Sequence, residues 1–216
     1  MAITLSTGTQ VAIASTYGSG FTISAITNAN PAVATFSGGH GVIVGDIIEI
    51  TSGWDLLTKR LVRASVVAAN DVTLESIDTS NTTNYPVGTG TGTGREVTAW
   101  TSITQVRAAV NAGGEQQYAD ITTIVDRVAK SIPTIRNAIN YDLTVFDDPT
   151  LGWYATVVTA ADTQALTGLQ FVFPKSSRLL VNGYFSIQKT PSIAVNEPLT
   201  HLINVTSAAE PMRYST

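Results

Sequence analysis

The chain has 216 residues, of which only 13% are charged and 44% hydrophobic, with a net charge of −4 and no cysteine. Globular chains typically carry about 25% charged residues, so this surface must be largely small, neutral and polar, which costs little to desolvate and suits extensive protein–protein contact as well as a plain Thr-rich β protein. The charge excludes the basic excess of a nucleic-acid binder, and the lack of cysteine excludes disulfides and thiolate metal sites.

The N-terminus, Met1-Ala2-Ile3-Thr4-Leu5, lacks a basic region followed by an apolar core, so no signal peptide is expected. No segment approaches the roughly 20 apolar residues of a membrane span. In residues 1–14, Ile3 and Leu5, then Val11 and Ile13, alternate and read as an arm followed by a strand. Tyr17-Gly18-Ser19-Gly20 reads as a flexible break.

Short β-type runs follow at residues 21–23, 34–36, 46–51, 60–67 and 73–77, separated by Gly-, Asn- and Pro-rich punctuation. Such spacing predicts a small barrel, with Trp54 as a lid on its core. Residues 78–94 end in Gly88-Thr89-Gly90-Thr91-Gly92-Thr93-Gly94 and read as a low-complexity connecting loop.

From residue 97 the strands lengthen. Runs 97–110 and 115–124 flank Asn111-Ala112-Gly113-Gly114, which predicts a hairpin turn. Neither arm has a clean apolar face, so the hairpin suits strands that meet other subunits or a hydrated channel. Residues 120–130 have apolar residues at helical spacing, Ile121, Ile124, Val125 and Val128, but the β-branched run favours strand, then loop. Residues 141–146 read as a strand with Tyr141, Leu143 and Val145 on one face. A helix is predicted over 149–161, capped by Asp148, with Leu151, Tyr154, Ala155 and Val158 as its apolar stripe.

The C-terminal third has the clearest alternation. Leu169, Phe171 and Phe173 share a face, and so do Leu179, Val181, Gly183, Phe185 and Ile187. The polar Lys175-Ser176-Ser177 link makes these runs an antiparallel hairpin. A third run, with Leu199, His201, Ile203 and Val205 on one face, completes a meander.

No reaction chemistry stands out. His40 lies in a Gly-rich turn and His201 on the apolar side of a strand; both read as structural. No ligand spacing suggests zinc, and no Gly-x-Ser-x-Gly elbow is present. Asp147-Asp148 reads as turn and cap rather than a cation site. The Gly88–Gly94 run lacks the Lys-Ser/Thr of a phosphate loop, with Arg95-Glu96 in its place. Lys59, Arg60 and Arg63 form a local basic cluster that reads as a solvated or subunit-contacting strand. Trp54, Trp100 and Trp153 supply aromatic surface for a carbohydrate-binding module, yet their scattered contexts read as core or interface.

The order of elements resembles the major tail tube protein family of long, non-contractile-tailed bacteriophages. Residues 41–50 with Lys59-Arg60, the Gly113-Gly114 hairpin, Asp120-Ile121-Thr122-Thr123-Ile124, the passage 143–154 and residues 191–197 carry the resemblance. It implies a mainly β fold, a β-sandwich tail-tube core with one flanking helix. The expected divisions are an arm and strand at 1–16, a small inserted barrel or decoration at 17–96 and the core at 97–216. It implies rings of six whose sheets join into one inner barrel, stacked into a tube in the virion after assembly in the host bacterial cytoplasm. Partners would be further copies, a tape-measure protein and tail terminator or tip proteins. Double-stranded DNA would pass through without specific binding, eased by an acidic wall. No cofactor, membrane or enzymatic activity is implied. The 97–124 hairpin is expected to line the channel or meet neighbours through Ile103, Gln105, Arg107, Gln116, Tyr118 and Asp120. The N-terminal arm and the 78–94 loop are expected to order only on stacking. Other ring-forming structural proteins, a head decoration or a tail terminator, are the nearest alternatives.

Overall fold

The structure, a computed structural model, describes residues 5–215. The chain runs β1 (Gln10–Tyr17), β2 (Phe21–Ile26), β3 (Val33–Phe36), β4 (Ile47–Ser52), β5 (Arg60–Ala68), β6 (Asp71–Leu74), β7 (Gly92–Ile103), β8 (Val106–Gly113) and β9 (Gln116–Asp120). It continues through β10 (Ser131–Arg136), β11 (Ile139–Phe146), α1 (Gly152–Thr163), β12 (Leu166–Val172), β13 (Arg178–Ile187), β14 (Thr200–Ser207) and β15 (Met212–Tyr214). The mainly β reading with one helix holds.

The barrel is closed by six strands in the order β2-β3-β6-β5-β4-β7, with β7 returning to β2. Five were legible as short runs. The sixth, β7, begins inside what reads as linker. Its glycines are required by close packing: a Cβ at Gly92 would lie 1.9 Å from the Thr51 carbonyl oxygen, and one at Gly94 would lie 2.5 Å from the Phe21 ring. Trp54 is no lid; it is a fully buried core residue beside Ile48, Ile50 and Leu57. The loop ahead of β7 is packed within the single chain, contrary to the expectation that it orders on stacking. Trp54 Nε1 donates to the Pro86 carbonyl (2.9 Å) and Thr89 Oγ1 (3.0 Å), and Tyr85 and Thr79 are buried. Residues 1–4 of the N-terminal arm, which is expected to order only on stacking, lie outside the described residues.

Beyond Glu96, β7 leaves the barrel and becomes the first strand of the main sheet, β7-β1-β12-β13-β14-β11-β8, with β15 on the edge of β13 beside β14. The division at 96/97 therefore falls within a strand. One continuous antiparallel sheet bends over its own core, in place of two separate sheets: Val11, Leu169 and Phe171 meet Tyr141, Leu143 and Val205. The one-sided alternation expected at β12, β13 and β14 is kept by β14 and the end of β13, whereas β12 and the first part of β13 are buried on both faces; β12 pairs β13 from Leu166↔Tyr184 to Val172↔Arg178.

The helix begins later than expected and turns a different face inward. Asp148 Oδ1 accepts from Thr150 N (3.1 Å) and Thr150 Oγ1 (2.6 Å), closing a turn that uses up Pro149 and Thr150. The N-cap is then Leu151, without a side-chain cap, and Trp153, Val157 and Ala160 are the buried residues.

The barrel packs on the outer face of the main sheet through Ala14, Ile47, Leu61, Val97, Leu180 and Tyr214. Burial on both faces explains why β12 and β13 show few exposed positions.

Candidate assembly surface

The run after β7 departs most from the hairpin expected around residues 111–114. β8 does not pair β9. It pairs β11, from Ile139↔Gly113 to Val145↔Val106, while β9 pairs β10, from Ser131↔Asp120 to Arg136↔Gln116. The Asn137 amide donates to the Glu115 carbonyl at 3.0 Å and links the two ladders. The result is one long β-arm with its tip at residues 121–130. Fifteen residues from Val106 to Asp120 give roughly 50 Å of contour at about 3.3 Å each. Gly113 is not a turn glycine. At φ +88°, with a virtual Cβ 2.1 Å from the Ala138 carbonyl oxygen, it lets the opposite strand pass at the junction of the ladders.

The arm is almost wholly exposed and yet apolar. Val110, Tyr118, Ile132 and Ile135 are exposed along it, and the tip presents Ile124 (105% exposed), Val125 (88%) and Val128 (74%). The tip owes its shape to local bonds. Asp120 Oδ1 accepts from Thr122 N (2.8 Å) and Thr122 Oγ1 (2.6 Å), Thr123 N donates to Asp126 Oδ2 (2.9 Å), and Lys130 pairs with Asp126. Bonds from Thr122 hold the Asp120 carboxyl below its ordinary range, and Lys130 with Thr123 does the same for Asp126. Exposed apolar side chains gathered in this number on one short segment mark a site of contact.

Five of the six residues expected on the channel hairpin lie along this arm. Gln105 is in the turn before β8, with φ +61°, and its carbonyl accepts from Phe146 N at 3.2 Å. Arg107 is exposed on β8, Tyr118 is exposed opposite Pro133, and Asp120 ends β9. Gln116 is half-buried and donates to the Ile135 carbonyl at 3.3 Å. Ile103 is different: at 3% exposure it belongs to the core under the main sheet and faces no channel. The apolar tip and strand β10 went unrecognised as a surface, although the spacing of Ile121, Ile124, Val125 and Val128 was visible. The arm carries Arg107, Arg127, Lys130 and Arg136 beside Glu115, Asp120 and Asp126, so it is not the acidic wall expected of it.

The remaining polar clusters are structural. His201 is buried, with Nδ1 2.8 Å from the Gln188 carbonyl and Nε2 2.6 Å from Asp147 Oδ1. Val42 N donates to His40 Nδ1 at 3.1 Å, and the His40 ring packs edge-on against Phe36. Arg60 pairs with Glu210 and Arg63 with Glu75, so the basic cluster is drawn into ion pairs. Among the described residues no group of three or more His, Cys, Asp or Glu is placed to hold a metal. Trp54 and Trp153 are buried, which removes two of the three aromatic faces a sugar would need.

A family model described as phage tail tube protein matches residues 52–216. No curated protein matches the chain. Among solved structures, a chain from the virion of a native gene transfer agent particle is similar, at 12% identity over 53% of this chain and 88% of that one, with a TM-score of 0.41.

Proposed function

The chain belongs to the phage tail tube protein family, and from that premise we propose that it is a non-enzymatic ring-forming subunit of the tail tube. Copies join head to tail into rings, six to a ring, and the rings stack in the virion after assembly in the host cytoplasm. The observation that carries this reading is the arm, whose apolar tip has no cover within the described chain. An arm that seats on a different surface of the next copy is a heterologous contact, which closes into rings or propagates as a filament.

In this reading Gln105, Arg107, Gln116, Tyr118 and Asp120 line the channel or face the neighbouring subunit. Ile103 is withdrawn from that set because it is buried. Tape-measure protein fills the bore, terminator and tip proteins close the ends, and DNA passes without base contacts. In this reading any anionic lining belongs to surfaces other than the arm, whose charge is mixed. Negative-stain microscopy of concentrated protein tests the proposal. Stacked rings with a central channel are expected, and a monodisperse monomer at every concentration would overturn it.

A further inference from the structure

Two groups of exposed aliphatic side chains stand at opposite ends of one ladder. β11 pairs β14 from Asn140↔Thr206 to Phe146↔Thr200. The arm leaves at the first end, where Asn137 N donates to the Glu115 carbonyl, and carries Ile124, Val125 and Val128 at its tip. The loop between β13 and β14 closes the other end and exposes Ile193 (77%), Val195 (90%) and Leu199 (41%). That loop has a set shape. Ser192 N donates to the Thr200 carbonyl at 2.8 Å and Glu197 N to the Ala194 carbonyl at 3.3 Å, with Asn196 at φ +63° inside the turn. Asp147 N donates to the Leu199 carbonyl at 3.0 Å and fastens the loop to the end of β11. The result is a short finger with Val195 at its apex.

The β11–β14 ladder alone spans about 20 Å, and the β9–β10 ladder and the tip lie beyond it. The tip of one chain therefore does not reach the finger of the same chain. Copies set head to tail along the strand direction bring one to the other, and they leave the same two surfaces free for the next copy, which is the condition for a stack. The charges also match. Lys130 is paired with Asp126, so the charge the tip presents is the exposed Arg127. The finger presents the exposed Glu197, and Lys189 at its base is taken up by Asp162. We propose that Ile124, Val125 and Val128 of one copy seat on Ile193, Val195 and Leu199 of the next copy, with Arg127 against Glu197. This contact rests on the reading of the chain as a tube subunit and names the surface that receives the arm. Three aliphatic side chains on each side make a small interface, weak for a single pair of copies. A ring presents the contact several times at once, and that multiplicity holds it closed.

The chain has no cysteine, so introduced thiols report the pairing cleanly. The full chain carrying both Val125→Cys and Val195→Cys is concentrated to where wild type assembles and mildly oxidised. A series of disulfide-linked multimers is expected. Each single variant oxidised alone should give at least about ten-fold less dimer, because the bond needs Cα atoms within about 7 Å. Dimers from Val125→Cys alone, in place of the series, would make the contact tip to tip and overturn the proposal. So would a monomer closed by an intrachain disulfide. Rings visible by microscopy without any multimer series would also overturn it and leave the tube reading standing. Wild-type protein that stays monomeric at every concentration would overturn both. Val195→Asp, at an exposed position, gives a second readout. The isolated subunit should unfold at the wild-type midpoint, while the concentration needed for assembly rises at least about ten-fold. Assembly at the wild-type concentration would count equally against the proposal.

Discussion

Asn182, in the middle of β13, donates its side-chain amide to Glu49 of the barrel strand β4 at 3.1 Å. The same carboxylate holds Arg95 of β7 through two bonds, at 2.9 and 3.0 Å, and the Arg95 guanidinium lies over the Tyr17 ring at 3.8 Å from its centroid. One buried anion thus ties three strands of barrel and main sheet together. Removing it leaves Asn182 with only the Lys59 carbonyl and Arg95 with only the Leu166 carbonyl to accept from them, and a buried donor that loses an acceptor costs more than its bond contributes. Glu49→Ala is expected to destabilise the fold by about 2–4 kcal/mol, read from the denaturant midpoint. Glu49→Gln keeps an acceptor for Asn182 and should lose less. Wild-type stability in the alanine variant would show that apolar contacts alone hold the junction.

Alkaline titration probes the same junction. Burial pushes the hydroxyls of Tyr17 and Tyr214 from 10.0 up to about 12; the Gly168 and Arg63 backbone N–H groups that donate to them oppose that shift. The native state therefore keeps protons that the unfolded chain releases between pH 10 and 12. The stabilisation is fully present below pH 10 and is lost as pH rises through 12, by up to about 2–3 kcal/mol per tyrosine. Tyr17→Phe should flatten that limb of the stability curve. An identical slope in the variant would show that this hydroxyl titrates alike in both states.

The helix face is tested by two substitutions. Trp153→Ala opens a large cavity against β13 and should cost about 3–5 kcal/mol. Ala155→Glu, at an exposed position, should change stability by less than about 0.5 kcal/mol. The reverse order in thermal unfolding would restore the stripe expected from sequence.

At the arm tip, stability and assembly should separate. Val125→Asp touches no core residue and should leave the isolated subunit within about 0.5 kcal/mol of wild type. If the tip seats in an apolar site on another copy, the buried charge should abolish rings in sedimentation and microscopy. Normal assembly by this variant would remove the tip from the interface.

What the sequence made legible follows from how far apart the deciding residues lie. The β12–β13 hairpin was readable because its alternation and its Lys175-Ser176-Ser177 turn are local. The arm was misread because Asn111-Ala112-Gly113-Gly114 has turn chemistry, while the pairing of β8 with β11 depends on a partner some thirty residues away in sequence. The helix stripe slipped because an Asx turn at Asp148 delayed the first helical residue. Gly92 and Gly94 looked like linker because the atoms that demand glycine, Thr51 O and the Phe21 ring, are invisible along the chain. The candidate surface was legible in some of its residues but not in its character. Five of its residues were named, whereas its apolar tip was weighed only as helix or loop.

The passage of β7 from barrel into main sheet bears on how such a chain can change. Side chains alternate along a strand, so one residue inserted between Glu96 and Val97 would turn the far half over, moving buried Val97 to where Thr98 now sits and Ser102 to where buried Ile103 now sits. Lineages of this molecule are free to lengthen the arm's end or the loop before the strand. Along this one ribbon their length is frozen, and a recombination that trades the barrel must carry the ribbon with it.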